Sequence, residues 1–146
     1  MADPGASAAA FDVLSMVLMA DPVSLSVVRQ RFRTWLAVLR WPADEVDDIV
    51  LAVNEAVSNA VEHADAPGFA SEVRVAAREF TEPDGGRRIV VGVSDNRRWC
   101  PTQTQRGLGL LMIYTCMDHV QFDRTMDVTT MVMTSVRVPP RALGTA

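Results

Sequence analysis

One stretch limits the fold more than any other: residues 49–64, which contain Leu51-Ala-Val-Asn-Glu-Ala-Val-Ser-Asn-Ala-Val-Glu-His-Ala64. Ile49, Val53, Ala56, Val57, Ala60 and Ala64 recur at three- and four-residue steps, which predicts an amphipathic helix of about four turns. Glu55, Asn59, Glu62 and His63 fall at offsets 0, 4, 7 and 8 and share a second face. The apolar stripe has to pack on another layer. The polar column has a plain reading as a wetted surface. It also places a carboxylate able to accept a proton one turn from an amide oxygen able to ligate a hard cation, which suits metal-assisted phosphoryl transfer.

Around this helix the chain alternates between the two periods. Phe11 to Met19 reads as a strand with apolar side chains on both faces: Phe11, Val13, Val17 and Met19 on one, Leu14, Met16 and Leu18 on the other. Such an edge is covered by the chain's own helices or by a second subunit. Asp21-Pro22 opens a helix that runs to about Arg40, with Val27, Val28, Phe32, Trp35, Leu36 and Leu39 as its buried stripe. Trp41-Pro42 ends it. Asp44, Glu45, Asp47 and Asp48 then crowd the first turns of the next helix, where the dipole favours anions.

Glu72 to Glu79 alternates as a half-exposed strand, Glu82-Pro-Asp-Gly-Gly86 is a hairpin turn, and Arg88 to Ser94 reads as a central strand buried on both faces. Asn96 to Arg106 has no periodicity and the length of a lid. Gly107-Leu-Gly109 opens a third helix to about Met117, and Val120–Arg124 with Val128–Val138 closes the sheet as a hairpin. The order predicts an α+β fold: a two-layer sandwich with helices on one face of a mostly antiparallel mixed sheet. Residues 11–140 form one domain, with a disordered tail at 1–10 and a short tail at 141–146.

Composition removes several classes of function. The net charge is −4, all 14 basic residues are arginine, and no basic run exceeds two residues, which argues against nucleic acid as a direct partner. Cys100 and Cys116 lie in no metal-ligand or disulfide pattern. No apolar run is long enough to span a bilayer, and no basic segment precedes the apolar stretch at 11–19, so the expected location is the cytoplasm.

Three further positions can carry chemistry. Asp95 continues the parity of Ile89, Val91 and Val93, so it projects toward the core, where a carboxylate must be partnered. It can accept a hydrogen from an exocyclic amine such as that of adenine. It also reads simply as a carboxylate capping the turn. Thr130 is read on a core-facing parity as well, its hydroxyl holding that carboxylate. Arg106-Gly-Leu-Gly109 sets two glycines at a helix start, where phosphates approach backbone amides, beside a guanidinium fork; the same residues can merely shape a turn.

Glu55-Ala-Val-Ser-Asn-Ala-Val-Glu-His-Ala64, with Asp95 and Gly107-Leu-Gly109, resembles the Bergerat ATP-binding fold of the GHKL superfamily, and within it the small anti-sigma-factor serine/threonine kinases. The resemblance covers nearly all of residues 11–139. It implies ATP and Mg²⁺ as cofactors, Glu55 as general base and Asn59 as the Mg²⁺ ligand. It implies Asp95 and Thr130 at adenine, and Arg106, Gly107 and Gly109 at the phosphates. It further implies a homodimer that sequesters a sigma factor and phosphorylates a small anti-anti-sigma protein of the STAS type. One position departs from the pattern: Arg97 stands where the first glycine box carries a glycine, while Trp99 and Pro101 still fit. That departure supports an alternative, a non-catalytic binding module gated by a weakened nucleotide site. A histidine-kinase catalytic domain is a third reading, set lower because such domains follow a phosphoacceptor helix pair.

Overall fold

The computed structural model of the chain describes residues 12–62, 72–95, 107–125 and 128–141. In chain order they form β1 (Val13–Met19), α1 (Val23–Val38), α2 (Ala43–Glu62), β2 (Glu72–Thr81), β3 (Arg87–Asp95), α3 (Gly107–Cys116), β4 (His119–Thr125) and β5 (Val128–Thr134). The strands make one five-stranded sheet in the order β1-β2-β3-β5-β4. Every pairing among them is antiparallel, so the sheet is antiparallel throughout its described strands.

Side-chain alternation explains why the helices cover one face only. Leu14 and Met16 of β1, Val73, Val75 and Ala77 of β2, Ile89, Val91 and Val93 of β3, and Met131 and Met133 of β5 are buried against Phe32, Leu36, Ile49, Val53, Val57 and Ile113 of the helices. Each fully buried aliphatic or aromatic side chain contributes about 1.5–3 kcal/mol. The alternate positions of β3 are only half-buried, which corrects the expectation of a strand covered on both faces. Central position in the sheet made β3 apolar on both sides, but no second helix layer exists among the described residues.

Helix boundaries follow local chemistry. Asp21 Oδ1 accepts the Val23 N–H at 3.0 Å, and Ser24 Oγ donates to the Met19 carbonyl at 2.8 Å, so Ser24 joins the buried face. Val27, read as part of the buried stripe, is exposed, because that stripe is narrower than the sequence suggests. The helix stops two residues earlier than Arg40, whose φ of 55° turns the chain so that Trp41 N–H reaches the Leu36 carbonyl at 2.9 Å.

The hairpin between β2 and β3 turns at Gly85, with φ of 90°, a region glycine enters without strain. The Gly86 N–H and then Arg137 hold the exposed Asp84 carboxyl below its usual range. Beside it, Glu82 and then Asp118 raise the Arg88 guanidinium.

The register of β5 carries a correction. Val93 pairs with Met131 and Val91 with Met133, and both methionines are fully buried. Thr130 therefore pairs with Ser94 on the face away from the helices, not on the core side. Past Thr134 the ladder slips by one: Ser135 Oγ accepts the Ile89 N–H at 2.8 Å, and the next bridge is Arg87 to Val138. The slip turns Val138 into the core, so Val138 does not share a face with Val128, Thr130, Val132 and Thr134.

Candidate functional site

The polar column of α2 is not a wetted surface where it matters. Asn59 is 7% exposed and Glu55 half-buried, while Glu62 lies in solvent. Ile49, Val53, Val57 and Ala60 pull one side of α2 onto the sheet, and that packing turns the adjacent side toward the start of α3. A Cβ built on Gly109 would stand 3.0 Å from Glu55 Oε2 and 3.7 Å from Asn59 Oδ1. The two side chains thus converge on one backbone position two residues into α3, where any larger residue would crowd the Glu55 carboxylate.

That position has its own electrostatics. The first N–H groups of α3, from Gly107 onward, have no carbonyl within the helix to bond, and the aligned peptide dipoles make this end positive. A carboxylate and an amide oxygen beside such an end create a short gradient from anionic to cationic. A bound oxyanion can lie on the cationic side, with a hard cation between it and the amide oxygen.

Asp95 closes β3 on the helix-facing side at 2% exposure. α2 packs on the same face of β3 and also against α3, so the α2 pair, the α3 start and Asp95 belong to one side of the sheet. Asn59 and Asp95 are each engaged in polar or electrostatic contact, as buried groups of this kind must be.

The sequence-derived residues thus divide into groups. Glu55, Asn59 and Gly109 come together, Gly107 starts the same helix, and Asp95 has the parity read from Ile89, Val91 and Val93. Thr130 does not join them, since the register pairs Asp95 with position 129 instead. Met131 and Met133 are both buried, and steps of two back from them along β5 reach position 129. His63, Arg97 and Arg106 lie outside the described residues. Among the described residues no group of three His, Cys, Asp or Glu side chains could by itself hold a metal ion. No helix among them is long and apolar enough to cross a membrane.

Comparison with known proteins points in the same direction. The sequence model of a family described as the histidine kinase-like ATPase domain matches residues 18–135. A serine-protein kinase RsbW of Bacillus velezensis is 27% identical over 136 residues, covering 81% of this chain and 82% of the relative. The serine-protein kinase RsbW of Bacillus subtilis is 26% identical with the same coverage. Among solved structures, the crystal structure of the RsbU and RsbW domains of a Mycobacterium tuberculosis protein superposes with a TM-score of 0.64 at 26% identity. The match covers 90% of this chain and 34% of that chain, so the present chain spans about a third of the solved one.

Proposed function

The chain belongs to the histidine kinase-like ATPase domain family, and from that membership we propose that it is an ATP- and Mg²⁺-dependent serine/threonine protein kinase acting as an anti-sigma factor. Its substrate in this reading is a small anti-anti-sigma protein, its sequestered target is a sigma factor, and two copies of the chain act together. The names of the Bacillus relatives support protein-serine phosphorylation. The motif around Glu55 supports the anti-sigma assignment. The observation that carries the reading is the convergence of Glu55 and Asn59 on Gly109.

The residues suit the cofactors. Asn59 Oδ1 is a hard oxygen donor, as Mg²⁺ requires, and a cation held by one amide completes its shell with phosphate oxygens and water. With no side chain at Gly109, phosphate oxygens would approach the N–H groups at the start of α3 beside the Glu55 and Asn59 oxygens. Bound Mg²⁺-ATP supplies the transferable phosphoryl group and neutralises the charge that builds on it. The chain's own groups do the rest. Glu55 accepts the proton of the incoming hydroxyl. Asn59 fixes the cation, and the N–H groups of α3 with Arg106 receive phosphate oxygens. Asp95 accepts a hydrogen from the adenine amine, an arrangement that needs a core-side carboxylate and not Thr130.

The experiment is transfer of label from γ-labelled ATP to a cognate anti-anti-sigma protein. Transfer by the wild type and its loss in Glu55→Gln support the reading. The second reading, a nucleotide-gated binding module without catalysis, is favoured by Arg97 at an expected glycine. ATP binding without transfer to any cognate partner selects it.

A further inference from the structure

We propose that the sheet face opposite the helices docks an acidic amphipathic helix of a partner protein, seated over Ala76 and Gly92 between Arg74 and Arg78. The surface lies across the sheet from Glu55, Asn59 and Gly109, so the proposal goes beyond the kinase reading and needs no nucleotide.

Gly92 has no folding reason to be glycine. It sits in the middle of β3, its φ is not positive, and both ladders pass it in register without a bulge. A Cβ there would meet the Thr130 Cγ2 methyl at 3.5 Å and the Ala76 carbonyl oxygen at 3.9 Å, both ordinary contacts. A central strand favours β-branched residues, and glycine inside one weakens it. What glycine does allow is close approach from outside. The register widens this low floor: Ser15, Ala76 and Gly92 stand side by side on β1, β2 and β3, all on the face away from the core.

Positive charge and apolar surface rim that floor. Arg74 and Arg78 flank Ala76 on β2, and both are exposed. Among the described residues neither forms an ion pair, whereas Glu82 and Asp118 occupy Arg88. Around them Val13, Val17 and Phe80 are 47%, 55% and 52% exposed. The strand acids of this face, Glu72 and Asp123, stand at its margin and leave the interval from Arg74 to Arg78 free of negative charge. Arginine set among exposed apolar and aromatic side chains is the composition of an interface core.

These features select the occupant. Arg74 and Arg78 are four strand residues apart, about 13 Å. Carboxylates seven or eight residues apart on a helix are separated by about 11–12 Å, so one helix lying along β2 reaches both guanidiniums. A helix laid on the sheet is also the packing the opposite face already uses. No segment of the sequence outside the described residues carries more than one acidic residue, so none of them supplies this helix. A second copy stacked face to face about a twofold axis through Ala76 would bring arginine against arginine. Anionic lipid recognition uses clusters of about four to eight basic residues, and this face offers an arginine pair on a chain of net charge −4.

Two synthetic amphipathic helices, titrated into the ¹⁵N-labelled full chain, test the assignment. One carries glutamates seven residues apart beside a leucine stripe; the other carries lysines in their place. The acidic helix is expected to shift the backbone amides of Ala76, Gly92 and Val132 and to leave those of Glu55, Asn59 and Gly109 in place, with or without ATP. The lysine helix is expected to bind about tenfold or more weakly, and Arg74→Glu with Arg78→Glu to weaken the acidic helix by a similar factor at unchanged amide dispersion. Gly92→Ala is expected to raise the melting temperature by a few degrees and to weaken the acidic helix. A lower melting temperature in Gly92→Ala would show that the glycine serves the fold, and would overturn the proposal. So would absence of shifts on this face, equal binding of the two helices, shifts there that follow the concentration of the chain alone, or binding of phosphatidylglycerol vesicles in place of the peptide. Phosphoryl transfer is read separately, so loss of one result leaves the other intact.

Discussion

Gly109 and Glu55 lie so close that a methyl group on the glycine would stand 3.0 Å from the carboxylate oxygen Oε2. Gly109→Ala is therefore expected to split stability from activity. Alanine improves helix propensity by about 1 kcal/mol, so the melting temperature should hold or rise by a few degrees. The carboxylate must shift by a few tenths of an ångström or more, and phosphoryl transfer should fall by about tenfold or more, as small displacements of a reacting group do. Thermal melts and initial transfer rates on the same preparation check this. Equal rates for the two proteins would place Glu55 outside the chemistry.

Arg87 gives the largest expected loss of stability. Its guanidinium bonds Glu79 Oε2 at 3.1 Å and the Leu39 carbonyl at 2.9 Å, and stacks 5.0 Å from the Trp41 ring centre, with both charged side chains almost fully buried. Removing one member of a buried pair leaves the other uncompensated, at about 3–5 kcal/mol. Arg141 still reaches the other oxygen of Glu79, so Arg87→Met should cost about 3 kcal/mol, at the lower end of that range. Urea unfolding measures it. ATP affinity of the folded fraction should not change, because the cluster lies at the end of β3 opposite Asp95.

Much of this could be read from the chain, and the failures share a cause. Periodicity alone located Glu55 and Asn59 on one face of a helix and put Asp95 on the core side, because each rests on a local pattern of buried neighbours. Asn59 burial depends on where α3 lands, which no local pattern contains. Thr130 lies on the face opposite to the one its parity suggests, because both faces of β5 mix threonine with apolar side chains and local alternation does not distinguish them. Only pairing with Val91 and Val93 makes Met131 and Met133 the inner set. The slip at Ser135, the Arg87–Glu79–Arg141 cluster and the left-handed turn at Arg40 are likewise products of contacts between distant parts of the sequence.

Cys116 should be chemically quiet. Burial, and after it the Asp48 carboxylate, raise its thiol above the usual value of 9.0, so the fold favours the neutral form. The stability this group contributes is complete below the ordinary thiol pKa and is lost as pH rises through the raised one. Iodoacetamide at pH 8 should leave the Cys116 peptide largely unmodified in the native protein and label it fully in urea. Rapid native labelling would show that this end of α3 opens readily.

The most direct measurement is calorimetric titration of ATP, with and without Mg²⁺, into the wild type and Asn59→Ala. If Asn59 holds the cation beside Glu55, Mg²⁺ should tighten ATP binding to the wild type by about tenfold or more and do little for the variant. Equal binding in all four titrations, or a Mg²⁺ effect undiminished in Asn59→Ala, would contradict a nucleotide site built on α2 and the start of α3.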